Sequence, residues 1–220
     1  MTDTSATETG EQGPGAKAPG LYLPVSYAVI VVVWAAIVVG LSLAGAFLPV
    51  GSAPPPAMPA AILVPPAVFL LAHRALPSVR AWVASLDLAA VTALQGWRVM
   101  GGVFMFMWFY GQLPTAFAWP AGLGDVAVGL AAPFVTASVV AKAEGWQRRS
   151  KILIAAGLLD FAVAVGTGIS SISGGPLAFE GQPGSELVNA FPLVLIPALA
   201  VPMFIIFHLI AWLKLHGRRG

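Results

Sequence analysis

The chain contains no cysteine, which removes disulfides, thiolate nucleophiles and cysteine-ligated zinc or iron–sulfur centres together. Charge is almost as scarce. Asp, Glu, Lys and Arg supply 9% of the 220 residues, against roughly 25% in an ordinary soluble domain. No Ser-His-Asp spacing, phosphate-binding glycine loop or zinc-protease motif is present, so the chain leans away from an enzyme. What is abundant is apolar surface, with 58% hydrophobic residues and a mean hydropathy of +0.87. These proportions predict an all-α integral membrane protein.

Six apolar stretches are long enough to consider as spans. They run over approximately 24–48, 57–73, 86–110, 116–141, 151–173 and 187–213, and together form a single transmembrane domain over 24–214. The second is short and is interrupted by Pro65-Pro66. It is read as a kinked span rather than a re-entrant hairpin, because the charge pattern needs an odd number of crossings before His73. Residues 78–85 either extend the third helix or lie along the interface. Residues 1–23 are polar, small and without periodicity, and are expected to be a disordered cytoplasmic tail; residues 215–220 form a short basic one.

Lysine and arginine set the expected orientation. Lys17, Arg74, Arg80, Lys142, Arg148, Arg149, Lys151, Lys214, Arg218 and Arg219 all fall on one side of a six-span topology. The opposite loops, GSAPPP, GQLPT and SGGPLAFEGQPGSE, hold none. This partition predicts both termini in the cytoplasm and residence in the cytoplasmic (inner) membrane. The basic residues read as topology signals, so the expected partner is the lipid bilayer and no nucleic acid.

Three charges lie inside the apolar stretches: Arg98, Asp125 and Asp160. Arg98 is about 20 Å from the cytoplasmic start of its helix, and each acid about 14 Å from the start of its own. All three therefore approach the midplane of a core about 30 Å thick. An isolated charge there costs about 2.5 to 3.5 kcal/mol on an insertion scale, whereas an arginine–carboxylate pair cancels charge and forms strong hydrogen bonds. The short turn 111–115 predicts that Arg98 faces Asp125. One arginine does not neutralise two acids, so the remaining acid is expected to be protonated, hydrated through a cavity or turned to another partner.

On an α-helical wheel Asp87 and Arg98 align, with Gln95 within a quadrant, giving the third span a polar stripe. Arg98, Asp125, Asp160, Gln95 and Asp87 are the binding or proton-linked candidates. Gly96, Gly101 and Gly102, and Gly122, Gly124 and Gly129 across from them, are read as helix-packing positions. His73 and His208 share an expected depth at which axial haem ligation is conceivable. No second histidine pair or haem motif accompanies them, so no cofactor or metal is expected.

The run QGWRVMGGVFMFMWFYGQLPTAFAWPAGLGD, Gln95 to Asp125, resembles uncharacterised bacterial multi-pass inner-membrane proteins. Its arginine, glycines, Leu-Pro turn and aromatic-Pro-Ala-Gly-x-Gly-Asp sequence carry the resemblance. That resemblance implies bacterial origin and groups Arg98 with Asp125, but it implies no activity. Three functions are compatible with a charged midplane: a small-solute transporter, with an anionic or proton-linked substrate; a membrane subunit in a homo- or hetero-oligomer whose charges are structural; and an intramembrane enzyme acting on lipid or quinone. The first is the expectation.

Overall fold

The computed structural model describes residues 21, 23–51, 53 and 55–217; the expectations for the N-terminal tail and for Arg218 and Arg219 lie outside them. The described chain is helical, and its one β-type pairing is an isolated bridge between Val50 and Ala53. In order come α1 (Val25–Leu43), α2 (Ala57–Ala75), α3 (Pro77–Ser85) and α4 (Leu88–Ala93). A 3-10 segment (Leu94–Gly102) follows, then α5 (Val103–Phe109), α6 (Thr115–Val140) and α7 (Trp146–Ser170). A π segment (Ile196–Ala200) leads into α8 (Val201–His216).

Among the described residues, five helices are long and apolar enough to cross a membrane: α1, α2, α6, α7 and the helix Ile196–His216. Their outward faces carry large apolar side chains, among them Val25, Ile30, Leu71, Phe134 and Leu159. Continuous apolar exposure of this kind is incompatible with water and fits a membrane-embedded protein. α2 passes through Pro65 and Pro66 without ending, and α3 is a separate short helix.

Two sequence expectations are corrected in their details. The third stretch is not one α-helix: nine residues in its middle wind as a 3-10 helix. The sixth does not begin at 187. Pro192 and Pro197 lack the N–H an α-helix needs, and regular helix starts only after the π segment, extending instead to His216.

α6 is central, packing on α4, the 3-10 segment, α5 and α7. α8 packs on α2, α4 and α7, whereas α1 lies against the π segment and sets Tyr27 edge to face on Trp82 of α3 at 4.9 Å. Apolar side chains of α3, α4 and the adjoining ends of α6, α7 and α8 cluster at one end, around Val83, Val139, Ile154 and Leu215. That end carries the basic loops, and Lys214 Nζ donates to the Val83 and Ala84 carbonyls there. At the opposite end Phe104, Leu113, Phe117 and Val188 form another cluster. The loop after α7 folds down onto it, with Ser185 Oγ donating to Gly168 O at 2.6 Å and Gln182 Oε1 accepting from Thr115 N at 3.0 Å.

Candidate functional site

The 3-10 winding is what builds the site. At three residues per turn, positions i, i+3 and i+6 eclipse, and the buried residues of the segment are Gln95, Arg98 and Gly101. Arg98 and Gly101 meet Asp125 of α6 and Gln95 meets Phe204 of α8, while Trp97 and Met100 point outward and are 65% and 62% exposed. An α-helix would splay these three apart; the tighter turn stacks them. On α6 the buried face is made of small residues around one acid: Ala118, Ala121, Gly122, Asp125, Gly129 and Ala132. On α7 Gly157, Asp160 and Phe161 share the buried face.

Arg98 holds both acids. Its Nε donates to Asp125 Oδ1 at 2.8 Å and its Nη2 donates to Asp160 Oδ2. Nη1 donates to Gly157 O at 3.2 Å and lies 3.3 Å from His208 Nε2. A guanidinium only donates, so His208 Nε2 accepts and its imidazole is neutral, with its proton on Nδ1. The Phe161 ring covers the guanidinium, 3.8 Å from ring centroid to Cζ. Four of the five guanidinium N–H groups are thus engaged, and none of the side chain is exposed. Asp160 has not turned to another partner: it pairs with the same guanidinium at Nη2, beside the nitrogen that holds Asp125.

Each of these side chains gains its room from a glycine on a neighbouring element. A Cβ at Gly101 would fall against the Asp125 carboxylate, and one at Gly124 against that of Asp160. At Gly157 it would meet His208 and lie 2.7 Å from Arg98 Nη1. At Gly129 it would sit 2.6 Å from the Val99 backbone nitrogen, and at Gly122 it would be 2.7 Å from Met105 Cγ. Gly96 and Gly102 are different, since a Cβ there meets nothing closer than 3.9 and 3.4 Å.

The other candidates divide. Gln95 is buried beside the cluster, with Nε2 donating to Phe204 O at 3.4 Å and Oε1 left without a partner. Asp87 is elsewhere: it caps α4, its Oδ1 accepting from Ala89 N at 2.9 Å. His73 packs beside Phe69 on α2, and His208 Nε2 is turned to Arg98. The two histidines are therefore not paired across a common space. His208 and Gly157 join the cluster without having been singled out for it from the sequence. The His208 signal was available as a lone buried-depth histidine opposite three intramembrane charges.

Open space meets the cluster from two directions. A cavity of about 70 Å³ lies toward the end that carries the long loop after α7, between α2, α5, α6, α7 and the π segment. Its walls are Met58, Phe104, Phe117, Phe161 and other apolar groups, its only carboxylate is Asp125, and Ser185 and Asn189 lie at the loop. Asp125 Oδ2 accepts no hydrogen bond among the described residues, and it is not sealed in protein. On the basic side of the cluster a smaller space of about 10 Å³ is lined by Thr92, Gln95, Ser150 and His208 among apolar neighbours. It is about the size of one water and has polar partners for it. Arg98, wholly buried, bonds to Asp125 at the first space and lies against His208 at the second.

No curated protein and no solved structure matches the chain. A family described as a domain of unknown function matches residues 55–216, a range that contains α2 to α8 and every residue of the cluster but leaves out α1. The chain belongs to that family, DUF8737.

Proposed function

We propose that the protein is a six-span carrier of the cytoplasmic membrane, moving a small solute in a proton-linked cycle through the Arg98–Asp125–Asp160–His208 cluster. The third span, which joins the five long helices to make six, is the composite rod of α4, the 3-10 segment and α5. At about 1.5 Å per α residue and 2.0 Å per 3-10 residue it is about 38 Å long, more than the roughly 30 Å of a hydrocarbon core. With it, the basic loops fall on the cytoplasmic side together with both termini.

One observation carries the transport reading: a buried, titratable cluster stands between two separate spaces, touching one through Asp125 and the other through His208 and Gln95. Two carboxylates on one guanidinium leave one negative charge that a proton cancels. Gain or loss of that proton changes what Arg98 must hold, and a 3-10 stretch within a helix is a place where winding can change.

The absence of native cysteine makes the test direct. Single replacements Ala164→Cys, in the larger cavity, and Ser150→Cys, in the smaller, are labelled with a membrane-impermeant thiol reagent in oriented vesicles. The expected result is labelling from opposite sides, with rates that shift in opposite directions as pH changes. Rates indifferent to pH after correction for the thiolate fraction would replace the carrier with a subunit whose charges are structural.

A further inference from the structure

We infer that the larger cavity is a binding site for a small organic primary amine in its ammonium form, seated with its N–H groups on Asp125. The inference rests on the solute site proposed above and names the class of its solute.

The cavity selects by sign. Among the described residues its only ionisable lining group is Asp125, and an anion entering it meets that carboxylate first, like charge against like charge in a low-dielectric space. Arg98 offers no remedy, because it is fully buried beyond Asp125 and already donates to two carboxylates, a carbonyl and an imidazole. An anionic solute at the arginine, one of the expectations from sequence, therefore has no donor to reach. An ammonium group has the opposite relation. It donates to Asp125 Oδ2, the one carboxylate oxygen on that residue without a hydrogen bond, and with both acids ionised it supplies the positive charge the cluster lacks. Neutral alcohols satisfy the oxygen but leave the charge.

The walls select the remainder of the molecule. Phe104 and Phe117 stand edge to face at 5.1 Å and, with Phe161 and Met58, line the space. Aromatic faces attract an alkylammonium and its polarised methylene groups, and apolar walls favour a hydrocarbon body over a polar one. The volume of about 70 Å³ accommodates a body of a few carbons. Ala164 and Gly168 of α7 line the space with little side chain to fill it, and neither enters the hydrogen bonds of the charged cluster.

The same ammonium chemistry is available from a free amine and from an aminophospholipid headgroup. The experiment has arms for each. Full-length protein is purified in detergent, and its thermal unfolding is followed with propylammonium, propionate and 1-propanol; it is then compared in nanodiscs with phosphatidylcholine alone or with added phosphatidylethanolamine. A bound ligand raises the unfolding temperature by mass action. The expected result is a saturable rise with propylammonium and none with propionate or propanol. A rise confined to the phosphatidylethanolamine discs supports the same ammonium site with the headgroup as its occupant. Ala164→Leu, which fills the cavity while leaving Asp125 and Arg98 in place, is expected to weaken the response at least tenfold. Asp125→Asn is expected to abolish it, and Ala164→Leu decides the matter if that variant does not fold.

Equal or greater stabilisation by propionate or propanol, sensitive to Ala164→Leu, overturns the ammonium assignment while leaving a solute site in place. Stabilisation by propylammonium that Ala164→Leu does not touch overturns the location. A response to none of the probes overturns the inference, and the pH-dependent labelling described above then stands or fails separately.

Discussion

Asp125 on α6 and Asp160 on α7 share a single guanidinium, one accepting from Nε and the other from Nη2 of Arg98. Neither acid has a second charged partner among the described residues, so the three side chains form one electrostatic unit. Arg98→Ala leaves two buried carboxylates unpaired, and removing one member of a buried ion pair costs about 3 to 5 kcal/mol. Asp125→Ala removes one acid and leaves Arg98 with Asp160, so it is expected to cost less than Arg98→Ala. Unfolding of the detergent-solubilised single and double variants measures this, and the double change is expected to cost less than the sum. Simple additivity would show the pair to be uncoupled.

The glycines give a sharper steric contrast. Gly129→Ala places a methyl 2.6 Å from the Val99 backbone nitrogen, a group that cannot swing away, and a cost of about 1 to 3 kcal/mol is expected for such overpacking. At Gly102 the nearest atom is the flexible Val126 Cγ2 at 3.4 Å, so Gly102→Ala is expected to be within about 0.5 kcal/mol of the parent. Both sit on the same helix contact, so equal losses in a thermal unfolding comparison would count against backbone proximity as the reason.

Much of this arrangement was legible from spacing. Arg98 and Asp125 meet because the turn between their helices is short and they lie 13 and 10 residues from its two ends, and both facts are written in the sequence. The sharing of Arg98 by Asp160 was not, because an α-helical wheel puts Gln95, Arg98 and Gly101 on diverging radii and gives no hint that they stack. The same wheel drew Asp87 toward the cluster, although it lies one residue outside α4 and caps it. His208 was misjudged in depth for a related reason. The last helix ends at His216, three residues beyond the expected 213, which moves His208 about 4 to 5 Å inward at 1.5 Å per residue.

The membrane topology is open to direct measurement. Single cysteines near Gly51, Gln112 and Gly181 are expected to react with an impermeant reagent from outside the cell, and those near Pro77, Glu144 and Gly217 only after permeabilisation. If the composite third rod did not cross, Gln112 would label with Pro77.

The loop that covers the larger cavity has its own pH response. Glu186 accepts a hydrogen bond from the Ser173 backbone N–H. Burial raises its pKa, but hydrogen bonds from Ser173 and from its own backbone outweigh that and leave it below the ordinary glutamate value. A carboxylate whose folded pKa is depressed binds fewer protons folded than unfolded. Its contribution to loop stability is therefore full above the unfolded value and fades as pH falls through that value to the lowered one. Hydrogen exchange at Ser173 and its neighbours is expected to show more protection at neutral pH than in mild acid, after correction for intrinsic rates. Glu186→Gln is expected to flatten this dependence, because the amide oxygen still accepts the bond but does not titrate. The loop supplies Ser185, Val188 and Asn189 to the cavity wall, so loosening it is also expected to speed labelling of Ala164→Cys in the parent background and not in Glu186→Gln. A pH dependence of exchange that survives in Glu186→Gln would assign the response to another group.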